Sequence, residues 1–185
     1  GSSAASGAAF IHPKFFSVAA PAVSTNSYTY CQGETATILS ATSSNGNSLK
    51  WYDLPTGGTP LVAAPVPSTS TAGVYSYYVS QANSNNDESP RVAITVTINA
   101  LPSTPIISAS GPTSFCTGGS VDLASSSTTG NVWTSATIFA TTPTITVTSS
   151  GTYSVTVTDT NGCSSTSTAT SVNVSSAPIP TVSAS

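Results

Sequence analysis

The chain has 185 residues, a formal net charge of −3 and 5% charged residues, against about a quarter in ordinary soluble domains, and serine and threonine supply roughly a third of it. Three cations make no basic stripe to neutralise a phosphate backbone, which argues against nucleic acid. No apolar run approaches the ~18 residues of a membrane helix, so no membrane partner is expected either.

Taken in chain order, Gly1-Ser2 reads as a cloning scar and residues 1–20, with Phe10, His12, Phe15 and Phe16, as a linker or as the last strand of a lost neighbour. From Pro21 onward apolar and hydroxylated residues alternate with period two, and no window carries a helical stripe, so the chain is expected to be all-β. A short extended segment, Pro21-Ala22-Val23-Ser24, leads to Tyr30-Cys31-Gln32-Gly33. Asn45-Gly46 marks a turn before the strand of Lys50, Trp51 and Tyr52, and Thr56-Gly57-Gly58 another after it. Gly73-Val74-Tyr75 heads a strand in which Tyr77 and Val79 point inward and Tyr78 and Ser80 outward. Val92, Ile94, Val96 and Ile98 then form an inward row that leaves Arg91 outside.

After the stiff connector Ala100-Leu101-Pro102-Ser103 the same series begins again. Pro105-Ile106-Ile107-Ser108 leads to Phe115-Cys116-Thr117-Gly118, then to Trp133, then to Gly151-Thr152-Tyr153 at the head of an alternating strand that ends at the turn Asn161-Gly162. Self-similarity at a period of about 80 residues means tandem domains of one kind. Turn signals every ~8–12 residues favour sandwiches of some seven short strands in Greek-key order. The expected layout is residues 21–100 and 104–176 as two domains, with 177–185 leading into a further repeat, because Pro180-Thr181-Val182-Ser183 opens like its two predecessors.

These residues resemble the immunoglobulin-like and PKD-like tandem repeats of secreted surface proteins of gliding Bacteroidetes. The carriers in the first copy are Tyr30-Cys31-Gln32-Gly33, Lys50-Trp51-Tyr52-Asp53, Thr56-Gly57-Gly58-Thr59-Pro60-Leu61, Tyr77-Tyr78-Val79-Ser80-Gln81 and Glu88-Ser89-Pro90-Arg91. In the second they are Phe115-Cys116, Gly118-Gly119, Gly151-Thr152-Tyr153 and Asp159-Thr160-Asn161-Gly162-Cys163. The resemblance implies two tandem immunoglobulin-like antiparallel sandwiches, secreted or held at the cell surface. They would serve as non-catalytic spacers or adhesive repeats, or as carbohydrate-binding accessory modules beside a polysaccharide-degrading enzyme. Neighbouring repeats of the same chain are then the first partners expected, and an extracellular glycan or cell-surface polysaccharide the second.

Where that pattern commonly has Gly-Cys before Glu-Ser-Pro-Arg, this chain has Asn86-Asp87, which leaves Cys31 without its implied partner and reads it as a free thiol. Cys116 and Cys163 are the candidate disulfide, for which chain entropy gives on the order of 4 kcal/mol. Two unpaired buried thiols are the alternative, because a simple immunoglobulin map sets those positions at opposite ends. Trp51, Trp133 and Tyr153 are expected as structural core.

One surface constellation stands out. Lys50, Tyr52, Tyr78 and Arg91 are expected to share an outer face, with two rings to stack a sugar and two donors to bond it; an ordinary cross-strand tyrosine pair is the plainer reading. Rows such as Thr144, Thr146 and Thr148 beside Thr156 and Thr158 form either a hydroxyl lattice or simply outward strand positions. Asp87 and Glu88 with Asn83, Asn85 and Asn86 have the oxygens for a loose calcium site, or make a solvated turn. The single histidine, His12, lies in the N-terminal lead, so no Ser-His-Asp or Cys-His arrangement, no zinc site and no cofactor is expected.

Overall fold

The structure, a computed structural model, describes residues 18–136 and 138–176. The N-terminal lead with Phe10, His12, Phe15 and Phe16, and the Pro180–Ser183 segment, lie outside the described residues. Those described form thirteen strands and no helix, and they divide into two compact units. The first holds the described residues up to Tyr28 with Ala36–Pro67 and Val74–Val96, the second Thr29–Thr35, Ser68–Gly73 and the chain from Thr97 on.

The first four strands, β1 (Ser27–Cys31), β2 (Ser48–Tyr52), β3 (Gly73–Ala82) and β4 (Val92–Asn99), make one sheet in the order β1-β4-β3-β2. Ile94, Val96 and Ile98 are buried at 0%, 0% and 2% exposure, as the alternation of β4 requires. Among the described residues no further strand forms in this unit. Ala22 bridges Thr42, and the Leu39 amide donates to the Pro65 carbonyl at 2.9 Å. Pro60, Pro65 and Pro67 bring no N–H to that stretch, so it does not pair as a strand, and fewer strands form here than the turn spacing predicts. The turn before β2 is closed by the Asn47 amide on the Ser44 carbonyl, with Asn45 at φ 54° and Gly46 at φ 70°. Two central residues at positive φ are what a right-twisted hairpin needs, and Asn-Gly is the pair that adopts them most readily.

In the second unit the strands from β5 on form two sheets of an immunoglobulin-like sandwich. β5 (Ile107–Ala109), β7 (Val121–Ser125) and β10 (Thr144–Val147) form one sheet in the order β10-β7-β5. The other runs β6-β13-β11-β8-β9, built from β6 (Ser114–Cys116), β8 (Asn131–Thr134), β9 (Phe139–Ala140), β11 (Gly151–Thr158) and β13 (Thr170–Ser175), with β12 (Ser164–Thr166) also on β11. Val121, Leu123, Ile145 and Val147 from the first sheet meet Trp133, Tyr153, Val155 and Val172 from the second in one core. Trp133 and Tyr153 are each 1% exposed, and Trp51 in the first unit 5%. The Trp133 indole donates to the Thr142 carbonyl at 2.8 Å, and the Tyr153 hydroxyl to the Ser149 carbonyl at 2.8 Å, tying the loop ahead of β11 to the strand that follows it.

One hairpin is built twice. In the second copy the Asp159 amide donates to the Cys163 carbonyl, Gly162 stands at φ 83°, and Asp159 Oδ1 accepts from the amides of Asn161 and Cys163. In the first, the Asn83 amide donates to the Asp87 carbonyl, Asn86 stands at φ 67°, and Asn83 Oδ1 accepts from Asn85 and Asp87. Asn86 fills the glycine position because asparagine tolerates the left-handed region better than other side chains. Asp87 therefore stands where the second copy has Cys163.

Candidate functional site

The antiparallel register of β2 and β3 sets Lys50 opposite Ser80 and Tyr52 opposite Tyr78, so all four share one face of the first unit. Glu88 completes the group. Its Oε2 accepts from the Tyr52 hydroxyl at 2.9 Å and its Oε1 from Ser80 Oγ at 2.6 Å. Lys50 Nζ lies 3.5 Å from Oε2 and Arg91 Nε 3.9 Å from Oε1. The Arg91 guanidinium also sits 3.2 Å above the centre of the Tyr52 ring, and its two terminal nitrogens donate to the carbonyls of Leu54 at 2.6 Å and Gly57 at 2.8 Å. Lys50 spends a further donor on Asn86 Oδ1 at 2.8 Å.

Lys50, Tyr52 and Arg91 thus come together as expected of neighbours, and Tyr78 lies in register beside them. The predicted outward exposure of Tyr52 does not hold. Tyr52 is 3% exposed, because Arg91 lies across its ring and anchors the Leu54–Gly57 loop. Alternation fixes which face a side chain takes but is blind to a loop that folds over that face. The cluster works as a latch, in which one carboxylate and one guanidinium fasten β2, β3, the loop after β2 and the hairpin before β4 to one another.

Burial alone would raise the Glu88 carboxyl. The hydrogen bonds from Ser80 and Tyr52 and the charge of Lys50 outweigh it, and hold Glu88 below its ordinary value. Burial, then the bond to Glu88, pushes the Tyr52 phenol upward, so it stays a donor across the neutral range. A carboxyl whose folded value lies below its unfolded one adds stability above the unfolded value of about 4.3, and that stability is lost as pH falls through the folded value. Glu88→Gln should therefore cost about 1–3 kcal/mol at neutral pH and progressively less in acid. Urea midpoints taken from pH 7 down to 3 for the two proteins would show the difference closing; parallel curves would mean that Glu88 holds nothing.

The remaining candidates resolve differently. Asn83 spends Oδ1 on the Asn85 and Asp87 amides and its amide nitrogen on Asp87 Oδ2, Asn86 holds Lys50, and Glu88 turns to the latch. Among the described residues no group of three or more His, Cys, Asp or Glu side chains is placed to hold a metal. The threonine rows bond across strands, Thr156 to Thr166 and Thr158 to Ser164 at 2.8 Å each, and Thr146 to Asp122 at 2.7 Å.

Two residues escaped the sequence reading. From its sequence Glu88 reads as part of a loose calcium site or a solvated turn, although two of the chain's three cations share its face and need a counter-charge. Gln81 is fully buried, donating to Ser44 Oγ and the Ala19 carbonyl and accepting from the Ser44 amide. Its apolar-looking place on an alternating strand gave no sign of that.

The cysteines pair otherwise than expected. Cys31 and Cys163 form the disulfide, with Cα atoms 5.5 Å apart, while Cys116 is free and exposed. The expected Cys116–Cys163 bond is ruled out by the sheet itself. Cys116 lies opposite Ser175 on β13, near the Gly151 end of β11, whereas Cys163 follows the Thr158 end. Eight residues of strand hold those ends roughly 23 Å apart, against the ~7 Å a disulfide spans. Cys31 is consequently no free thiol: its partner is Cys163 in the hairpin after β11, and both cysteines lie within the second compact unit.

Residues 19–99 match the family described as Ig-like domain, CHU_C associated. No curated protein matches the chain. Among solved structures, the fibronectin(III)-like modules of Clostridium thermocellum CbhA align with TM-score 0.39 and 13% identity over 89% of this chain and 98% of that one. The titin domains Z1Z2 align with TM-score 0.37 and 12% identity over 88% and 100%. Bacteroides ovatus SGBP-B, of a mixed-linkage glucan utilization locus and seen in complex with a mixed-linkage heptasaccharide, aligns with TM-score 0.28 and 15% identity over 83% and 43%.

Proposed function

We propose that the chain is a non-catalytic structural or adhesive repeat module of a large extracellular bacterial surface protein, with residues 21–100 and 104–176 as tandem immunoglobulin-like repeats. The observation that carries this reading is the disulfide from β1 of the first copy to the β11–β12 hairpin of the second. A covalent tie between successive repeats serves a chain that must keep its repeats together under load, and it persists only in an oxidising compartment. The latch supports the same reading, since Lys50, Arg91 and Glu88 spend their charge on one another and on backbone carbonyls.

Carbohydrate binding is the second reading, and Tyr78, half-buried beside the latch, is what favours it. A pull-down on insoluble polysaccharides separates the two. A spacer stays in the supernatant; retention that disappears in Tyr78→Ala would replace the spacer with a glycan-binding module.

A further inference from the structure

The turn that carries the bonded Cys31 is also built twice. Cys31 ends β1, the Gln32 amide donates to the Asn99 carbonyl at 2.8 Å, Gly33 stands at φ 82°, and the Glu34 amide returns to the Cys31 carbonyl at 3.0 Å. Cys116 ends β6, the Thr117 amide donates to the Ser175 carbonyl at 2.9 Å, Gly118 stands at φ 97°, and the Gly119 amide returns to the Cys116 carbonyl at 3.0 Å. The strand-end cysteine, the two backbone hydrogen bonds and the left-handed glycine correspond in the two turns; the bonds of the Gly33 amide to the Thr69 carbonyl and of the Cys31 amide to the Glu34 carboxylate belong to the first alone. The outcome differs too, since the first thiol is bonded to a hairpin cysteine one copy downstream and the second is free and exposed.

The hairpins obey the same direction. Cys163 serves the turn of the copy before it, whereas the first-copy hairpin carries Asp87 at that position and offers no sulfur to anything upstream. From these two observations, and resting on the tandem-repeat reading, we infer that Cys116 is the attachment point for the hairpin cysteine of a following repeat. Disulfides then run along the array from the turn of one repeat to the hairpin of the next. The partner is a repeat of this same kind, with a cysteine at the place Cys163 holds.

The bond forms by thiol–disulfide exchange with an exported protein disulfide. One thiolate attacks the oxidant and gives a mixed disulfide. The second thiolate displaces it, closing the new S–S bond, and the oxidant leaves as a dithiol with the two electrons and two protons that the cysteines gave up.

The test is a non-reducing peptide map of the chain expressed together with the next repeat of its own gene and oxidised with oxidised glutathione. The expected product joins Cys116 to a hairpin cysteine at about the separation of 132 residues that divides Cys31 from Cys163. In that longer chain Cys116→Ser should free one additional thiol and leave the Cys31–Cys163 peptide as it was; Cys116 is exposed, so the substitution does not threaten the fold. The inference is overturned if Cys116 remains open to alkylation in the folded oxidised protein, if it bonds elsewhere, or if the next repeat has no cysteine in that hairpin. Glycan retention in the pull-down would sink the spacer reading without altering this map, so the two failures are told apart.

Discussion

Pulled from its two ends, the oxidised chain should release only the residues outside the bond, before Cys31 and after Cys163, and on reduction it should lengthen by a further ~450 Å. The Cys31–Cys163 bond short-circuits a sequence separation of 132 residues, so tension passes from β1 through sulfur to the β11–β12 hairpin and never reaches the strands between. Fully drawn backbone spans about 3.6 Å per residue, which fixes the length released on reduction. Single-molecule extension with and without reductant measures it. An oxidised chain that yields roughly 300 Å more than those outer residues supply would place the bond at Cys116–Cys163, where it would leave the residues from Cys31 to Cys116 free to unravel. The same bond should appear in stability, because chain entropy assigns a loop of this size about 5 kcal/mol. If Ala36–Pro67 and Val74–Val96 stay folded while the second unit unfolds, the effective loop roughly halves. Loop entropy depends only on the logarithm of length, so the loss is about 0.6 kcal/mol. Cys31→Ser should therefore cost the second unit about 3–5 kcal/mol in urea, and a cost below 1 would show that the bond constrains little.

What the sequence disclosed and what it hid separate along a physical line. Period-two strands declare their buried face locally, so Ile94, Val96 and Ile98, or Tyr153, Val155 and Val157, could be placed from their own neighbours. Asn45-Gly46 announced its turn because few other pairs tolerate two positive φ angles. The candidate patch was legible as a neighbourhood but not as an environment. Register brings Lys50, Tyr52 and Tyr78 together, yet whether Tyr52 meets water depends on Arg91 reaching carbonyls 34 and 37 residues away. The disulfide was hidden for a related reason. Cys116 and Cys163 are the two cysteines that share one sequence copy, and no spacing rule marks a bond that closes over 132 residues. Matching the two turns and the two hairpins by their hydrogen bonds equates Cys31 with Cys116 and Asp87 with Cys163, but the pairing itself comes only from the three-dimensional fold.

Trp133→Ala should remove about 3–5 kcal/mol from the second unit, the largest loss expected of any single side chain there. The indole is 1% exposed at the centre of a core to which both sheets contribute, with Val121 and Leu123 from one and Val155 and Val172 from the other. Strands joined by continuous ladders cannot close in around a void of that size, so the cavity term adds to the lost transfer energy. The indole N–H would leave the Thr142 carbonyl behind, but Thr142 is exposed and water replaces that bond, which keeps the loss a packing effect. Trp133→Phe keeps most of the ring volume and should recover more than half of the deficit. Urea denaturation followed by circular dichroism gives both numbers, with Trp51 still present to report the first unit by fluorescence. A loss below about 1 kcal/mol for the alanine variant would mean that the two sheets are held by their edges and not by the core between them.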